Sequence, residues 1–289
     1  MPKYPKMNYI GNKEKLADWI RSYIPKDVIS VFDAFSGGCS VSYELKKAGF
    51  QIYTNDVLIV NHMIAKALIE NDNIRLTNED LAVIFSGSPK KGFMFKNFSN
   101  RFFYPEECME LDQYRQNIEL LDNEYKKALA YTIMRRAMIR KMPYSRFNLS
   151  WDKIVLLRDE EYSYKHYKRR RAYHNESFKQ HFLKELDGYN AAVFNNQMKH
   201  KAFVGDIFDI IHKVDADLVY LDPPYTGTMN NYFGFYGLID MWLQQKQLEP
   251  FENNFVDKHS SLRLFDRLFS SLSKYKYWML SYNNSSRIR

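Results

Sequence analysis

The stretch Leu218 to Tyr225, reading LVYLDPPY, restricts this chain more than any other. Four consecutive apolar or aromatic residues read as a buried strand. The strand must stop at Asp222, because Pro223 and Pro224 donate nothing to a sheet ladder and each fixes its own φ. The backbone there is stiff, and its carbonyls are free to bind something other than the ladder. An acid, carbonyl groups and the Tyr225 ring at one strand end suit a ligand that presents an amino group and a flat face. Asp-Pro-Pro-Tyr also serves as an ordinary strand-ending turn, so the surrounding chain has to decide between the two readings.

The N-terminal part carries the same rhythm. Val28 to Phe32 is rich in β-forming residues, Asp33-Ala34-Phe35-Ser36-Gly37-Gly38 is a turn of mostly small residues, and Cys39 to Ala48 reads as a helix closed by Gly49. Strand, glycine turn and helix are how doubly wound folds bring backbone N–H groups against a ligand, although the spacing is not GxGxxG and a dinucleotide is disfavoured. A second strand, Gln51 to Thr54, runs into Asn55-Asp56, where an acid can accept from ribose hydroxyls or simply cap a turn. Upstream, Leu16, Trp19, Ile20 and Tyr23 share one helical face. The lead-in from Tyr9 to Lys13 sets polar groups at a helix start that favours anionic ligand parts, with Asn12 as an alternative N-cap.

From about Asn71 the rhythm lapses, and 75–190 reads as an inserted, mostly helical module between 1–74 and 191–289. Asn123 to Met142 has a long helical pattern with Leu129, Ile133 and Ala137 on one face and Arg135, Arg136, Arg140 and Lys141 in its last turns. Cations are favoured at a helix C-terminus whether or not a ligand is present. The most basic run, Tyr164 to Arg171, interleaves tyrosines with Lys168, Arg169, Arg170 and Arg171; it suits a solvated face or phosphate contact. The α/β pattern returns with Lys201 to Val204 and Gly205-Asp206. After the Asp222 strand come a Gly/Asn-rich loop over 226–237, a helix from Leu238 to Leu248, and another from Ser261 to Leu272 with Leu262, Phe265, Leu268 and Phe269 on one face. A last strand, Tyr275 to Leu280, runs into Ser281-Tyr282-Asn283-Asn284.

At 289 residues the chain can bury a sizeable core, and 42 Lys and Arg against 34 Asp and Glu favour a polyanionic partner. The two cysteines, Cys39 and Cys108, have neither metal-ligand nor CxxC spacing, so reduced thiols and no metal are expected. No apolar run is long enough to span a bilayer, which predicts a soluble, cytoplasmic protein.

Together, Tyr9–Lys13, Asp33–Gly38, Asp56, Asp206, Asp222–Tyr225 and Ser281–Asn284 resemble the ordered motifs of the D12-class adenine-N6 DNA methyltransferases. The resemblance implies a Rossmann-like α/β fold with an inserted target-recognition domain, and S-adenosylmethionine as methyl donor. By position, Asp33 and Phe35, Ser36, Gly37 and Gly38 would hold its methionine part with help from Tyr9 and Lys13, while Asp56 would take the ribose and Asp206 the adenine. Asp222, Pro223, Pro224 and Tyr225 would be catalytic, the Asp222 carboxylate and Pro223 carbonyl accepting from the target amino group and Tyr225 stacking on a base flipped out of duplex DNA. Arg135, Arg136, Arg140 and Arg169 to Arg171 would contact or neighbour phosphate. Such enzymes act at the bacterial nucleoid, in many cases within restriction-modification systems. Members usually close the sheet with a further hairpin after the last strand seen here, so the C-terminal strands are expected to be missing or supplied by a partner chain. A non-catalytic or truncated DNA-binding subunit and an RNA adenine methyltransferase are the competing readings.

Overall fold

The computed structural model describes residues 2–145, 147–226, 232–249 and 255–282. In chain order, α1 (Ala17–Ser22), β1 (Ser30–Asp33), α2 (Ser40–Lys47), β2 (Gln51–Asp56) and α3 (Ile59–Ala65) lead into a run of helices. These are α4 (Asn78–Ile84), α5 (Phe93–Phe98), α6 (Pro105–Ile118), α7 (Glu124–Lys141), α8 (Trp151–Arg158), α9 (Glu160–Tyr167) and α10 (Phe178–Ala192). There follow β3 (Lys201–Val204), α11 (Ile207–Ile210), β4 (Leu218–Leu221), α12 (Tyr232–Gln244), α13 (Ser261–Ser270) and β5 (Tyr277–Leu280). The chain divides into two compact units, one of Met1–Ile74, Ala192–Phe233 and Glu249–Arg289, the other of Arg75–Ala191 and Gly234–Leu248.

The first unit is an all-parallel sheet in the order β3-β2-β1-β4-β5. Parallel strands covered on both faces read as continuous apolar runs, and β4 is buried along its whole length. Phe32 of β1 and Val219 and Leu221 of β4 pack on one face with α11 and α13 through Ile207, Ile211, Leu264 and Leu268. At the opposite end of the strands the Asp217 carboxylate accepts from the backbone N–H groups of Ile29 and Ser30, pinning β1 to β4. Among the described residues β5 is an edge strand, with Trp278 and Leu280 exposed.

Two apolar faces read from helical spacing come out differently. The helix expected after the Tyr9–Lys13 lead-in is confined to Ala17–Ser22; Ala17 and Ile20 are buried while Leu16, Trp19 and Tyr23 are exposed. The preceding residues run as an irregular strap that buries Tyr4 and Met7 instead. In α13 Phe265 and Leu268 are buried and Phe269 packs on the core as expected, but Leu264 takes the remaining core position and Leu262 is exposed.

The second unit is helical. Its axis is α7, buried on every side from Ala128 to Ile139. Residues 234–248, read from sequence as part of the sheet-bearing region, pack here: the Trp242 indole donates to the Leu111 carbonyl at 2.8 Å, and the Arg115 guanidinium donates to that of Leu243 at 3.0 and 3.1 Å. A glycine is required at position 92, where a Cβ would fall 2.7 Å from Asp112 Cγ. There the Asp112 carboxylate accepts from the backbone N–H groups of Gly92, Met94 and Phe95 and starts α5. The Glu107 carboxylate takes two hydrogen bonds from Arg158 and lies 2.9 Å from Lys141 Nζ, all three nearly out of solvent. No helix among the described residues is long and apolar enough to cross a membrane.

Removing Glu107 would leave two buried cations with no carboxylate between them. Glu107→Ala is expected to lower the unfolding free energy by about 3 to 5 kcal/mol, read from urea denaturation at neutral pH; a loss within ~1 kcal/mol would show that the triad does not hold α6, α7 and α8 together.

Candidate active site

Strands β1 and β4 are neighbours, yet the chain continues from β1 to one side of the sheet and from β4 to the other. At such a switch point no crossover covers the carboxyl ends of the strands, and a crevice opens there. Asp33 pairs with Tyr220 in register, and the Ala34 N–H donates to the Tyr220 carbonyl at 3.0 Å, so Asp33 and Asp222 are delivered to the same end of adjacent strands.

Asp33 is buried. One carboxylate oxygen accepts from the Ser42 hydroxyl, and the other, Oδ1, has no hydrogen-bond partner. Burial drives its pKa up to about 7; the Ser42 hydrogen bond opposes this, and the carboxylates of Asp222 and Asp56 add to it. The buried Ser36 hydroxyl oxygen is likewise unpartnered. These two atoms suit a ligand group that carries hydrogen-bond donors and positive charge.

The turn between them is shaped by tyrosines from the N-terminal strap. Gly37 has φ +49°, and a Cβ there would lie 2.9 Å from the Tyr9 ring; one at Gly38 would meet the Tyr4 hydroxyl and Tyr9 Cβ at 3.1 Å. The glycines thus admit the strap, which is held by the Tyr4 hydroxyl donating to the Gly38 carbonyl and by Asn61 Nδ2 donating to the Tyr9 hydroxyl at 3.0 Å. Asp56 fixes the same turn, one oxygen accepting from Gly37 N–H and the other from Leu58 N–H, both at 2.9 Å. Burial raises the Asp56 pKa and these bonds oppose the rise. Phe35 meets Phe255 edge to face, and Asp206 N-caps α11 through Phe208 N–H at 2.9 Å.

In the Asp-Pro-Pro-Tyr segment Pro223 is buried and Pro224 half-buried. Lys13, read as a cofactor contact, instead places Nζ 2.6 Å from Asp222 Oδ2, with side chains only 14% and 16% exposed. The Tyr225 hydroxyl donates to Asp222 Oδ1 at 3.3 Å, and the Lys13 ammonium lies 5.3 Å from the centre of the Tyr225 ring. Burial raises the Asp222 pKa against the opposing pull of Lys13 and Tyr225; for Lys13 burial is the largest influence and works downward, but the charge and hydrogen bond of Asp222 together with Tyr225 outweigh it and the ammonium is held more firmly than usual.

Two residues that shape this loop were given no role in the sequence reading. Thr226 N–H donates to the Tyr282 hydroxyl at 3.0 Å, that hydroxyl donates to Thr226 Oγ1 at 3.0 Å, and Thr226 Oγ1 donates to the Phe255 carbonyl at 3.1 Å. The Tyr282 ring also meets Tyr225 edge to face at 5.1 Å. The available signal was the position of Ser281-Tyr282 at the end of the strand that pairs with β4, where Ser281 N–H donates to the Leu221 carbonyl at 2.8 Å. Asn283, Asn284 and residues 227–231 of the expected loop lie outside the described residues.

The basic residues of the helical unit separate by burial. Arg135 is fully buried with its guanidinium 5.2 Å from the Tyr236 ring centre, and Arg136 is buried with Nη2 3.3 Å from Glu185. Neither is placed for phosphate, because α7 is enclosed at that level. Arg140 is half-buried with its guanidinium 4.5 Å from the centre of the Tyr173 ring; Arg169 and Arg170 are exposed, Arg170 being 2.9 Å from Glu161. Arg171 sits 4.5 Å from the Tyr167 ring and 5.6 Å from that of Tyr144, and the hydrogen bonds of Tyr167 and Arg171 lower the Tyr144 pKa. This gives a solvent-facing surface of tyrosines and cations. The described residues contain no group of three or more His, Cys, Asp or Glu side chains arranged for a metal ion.

Comparison with known proteins converges on one family. The sequence profile of the D12 class N6 adenine-specific DNA methyltransferases matches residues 9–288. The chain is similar to the type II methyltransferase M2.HphI of Haemophilus parahaemolyticus, 58% identical over 286 residues that cover 99% of this chain and 85% of that protein. It is 27% identical to the type II methyltransferase M.FokI of Planomicrobium okeanokoites over 269 residues, 81% of this chain but 36% of that longer protein. With M.NlaIII of Neisseria lactamica, also a type II methyltransferase, identity is 22% over 96% of this chain and 84% of the relative. The α/β sheet with acids at its strand ends and the profile match over nearly the whole length agree: this chain belongs to the D12 class of N6 adenine-specific DNA methyltransferases.

Proposed function

We propose that this enzyme uses S-adenosylmethionine to methylate N6 of an adenine flipped out of duplex DNA at a specific sequence, as the modification partner in a restriction-modification system. The observation that carries the cofactor assignment is the unpartnered Asp33 Oδ1 at the end of β1, which a methionine ammonium would satisfy, with the unpartnered Ser36 hydroxyl in the turn that follows. Asp56 presents a carboxylate at the end of β2 for ribose hydroxyls. Asp206, although a helix cap, stands at the end of β3 for the adenine amino group. Phe35, Gly37, Gly38 and Tyr9 form the wall between them. The assignment to a modification system follows the relatives, which are type II methyltransferases.

Bound, the cofactor supplies a methyl group on a sulfonium. Adenine N6 is a weak nucleophile because its lone pair is delocalised into the ring. The Asp222 carboxylate and Pro223 carbonyl accept hydrogen bonds from its two N–H groups, localise that lone pair and aim it for in-line attack, after which one proton leaves the methylated nitrogen. Tyr225 stacks on the base, whose extrusion costs a few kcal/mol. The two prolines and the Thr226–Tyr282 latch hold these groups still. In the helical unit, Arg140 and Arg169 to Arg171 serve phosphate, with Tyr144, Tyr167 and Tyr173 beside them. The open edge of β5 with Trp278 and Leu280 is where a further strand, from this polypeptide or a partner chain, would pair. The substrate places the enzyme in the bacterial cytoplasm at the nucleoid.

Incubation with labelled S-adenosylmethionine should label N6 of adenine in duplex DNA in preference to RNA, and Asp222→Ala should abolish the label while leaving cofactor binding within a few-fold; equal labelling by wild type and variant would refute the proposal. Asp33 must be ionised to meet an ammonium, so calorimetric affinity for S-adenosylmethionine should weaken as pH falls through its value of about 7, by roughly eightfold between pH 7.5 and 6. Asp33→Asn should bind weakly with no such step. Substituting Arg169, Arg170 and Arg171 together by Ala should weaken DNA binding about equally for all sequences and reduce the slope of log K against log salt by ~2 to 3; an unchanged slope would take this run out of the phosphate interface.

A further inference from the structure

Both oxygens of Asp222 are already engaged within the chain, Oδ2 by the Lys13 ammonium at 2.6 Å and Oδ1 by the Tyr225 hydroxyl at 3.3 Å. The same ammonium lies 5.3 Å from the centre of the Tyr225 ring. These are the two surfaces an adenine needs, an acceptor for its amino group and an aromatic face for its ring. A base cannot take either while Lys13 stays where it is. We propose that Lys13 is a positioning residue for methyl transfer: its ammonium holds the target amino group's place on Asp222 in the free enzyme, keeps that carboxylate charged and oriented, and swings away as the base enters. This rests on the assignment of Asp222 as acceptor for the target adenine.

The local architecture allows such a movement without disturbing the fold. Lys13 is tied through its backbone, whose N–H donates to Ser40 Oγ at 3.2 Å at the start of α2, and not only through its charge. The Gly11 carbonyl lies 3.4 Å from Nζ and offers an alternative acceptor on the same strap. The four-carbon stem can therefore turn while its root is held. The rest of the tetrapeptide is not free to follow, being fixed by two prolines and by Tyr282.

The need for a placeholder follows from the surroundings of Asp222. Among the described residues the titratable groups that face it are Lys13 from the strap, Tyr225 from its own loop, Tyr220 from β4 and Asp33 from β1. Lys13 alone of these is a cation. Without it, a largely buried carboxylate would face another acid, and its pKa would rise further. Protonation puts a donor on one of the two oxygens the amino group needs as acceptor, so a free enzyme in that form would hold the base less well.

The test is the pH dependence of single-site methylation of a duplex oligonucleotide by wild type, Lys13→Met and Lys13→Arg, with thermal unfolding checked for each. The acid limb of kcat/KM reports ionisations of the free enzyme, where Lys13 is on Asp222; kcat reports the complex, where it has left. In Lys13→Met the acid limb of kcat/KM for DNA should move to higher pH by about 1 unit or more, with kcat above that limb within a few-fold of wild type and the KM for S-adenosylmethionine little changed. Lys13→Arg should keep the wild-type limb. An unmoved limb in a folded, active Lys13→Met would overturn the proposal, as would a loss confined to the KM for S-adenosylmethionine, which would make Lys13 a cofactor contact. Inactivity of the wild type towards adenine in DNA would instead overturn the function on which the proposal rests.

Discussion

Three carboxylates, Asp33, Asp56 and Asp222, are held at the ends of three neighbouring strands where water scarcely reaches, and one ammonium, Lys13, meets the last of them. Every such charge costs free energy unless something nearby offsets it. The three are offset in different ways. Asp56 accepts two backbone N–H groups and becomes part of the scaffold. Asp222 has Lys13. Asp33 has the Ser42 hydroxyl and a smaller pull from the Phe35 backbone, neither of them a cation, and is the acid with a pKa pushed up to about 7. The site is therefore short of positive charge at Asp33, and a cationic ligand such as the proposed cofactor would correct this.

The same shortage explains why the glycine turn has its particular form. Its glycines do not lie bare for a phosphate, as they would in a dinucleotide fold. They are occupied by Tyr9 and Tyr4 from the strap, and Asp56 accepts from a turn N–H that a phosphate would otherwise use. A turn that spends its donor on an internal acid has little left for an anion. The charge of the site and the shape of its turn thus select against nucleotide phosphates and for a ligand with an ammonium group.

Much of this was legible from residues 28–56 and 218–225, because strand-turn-helix punctuation is local: β-branched runs, glycines and the Asp-Pro-Pro-Tyr stop are all written in adjacent positions. What was not legible depends on long-range pairing. Lys13 reads as a polar residue at a helix start, and only the fold brings it 2.6 Å from an acid 209 positions away. Tyr282 reads as a residue after a strand, and only the pairing of β5 with β4 sets its hydroxyl on Thr226. Helical spacing marked apolar faces on α1 and α13 but could not say which residues in them would be covered, since that is decided by what packs alongside. Arg135 and Arg136, expected at or near phosphate, lie buried for the same reason: a helix buried on all sides hides even its charges, and each meets an aromatic ring or a carboxylate inside.

The DPPY loop can be compared with its neighbours by asking which parts can still move. Pro223 and Pro224 remove the backbone freedom on the Asp222 side. On the other side, Thr226 is joined to Tyr282 by two hydrogen bonds and to the Phe255 carbonyl by a third, while the rings of Tyr225, Tyr282 and Phe265 interlock edge to face. The acceptors are consequently set before any base arrives, which is the arrangement that lowers a barrier, because reorganising them during the reaction would cost free energy. A rigid acceptor pair in a buried site must nevertheless be satisfied while it waits. A protein group that does so has to carry a charge, reach the carboxylate, and leave without moving the loop. A lysine rooted on a separate segment meets all three requirements; an arginine fork bound to both oxygens, or a residue within the loop itself, would meet the first two at the expense of the third.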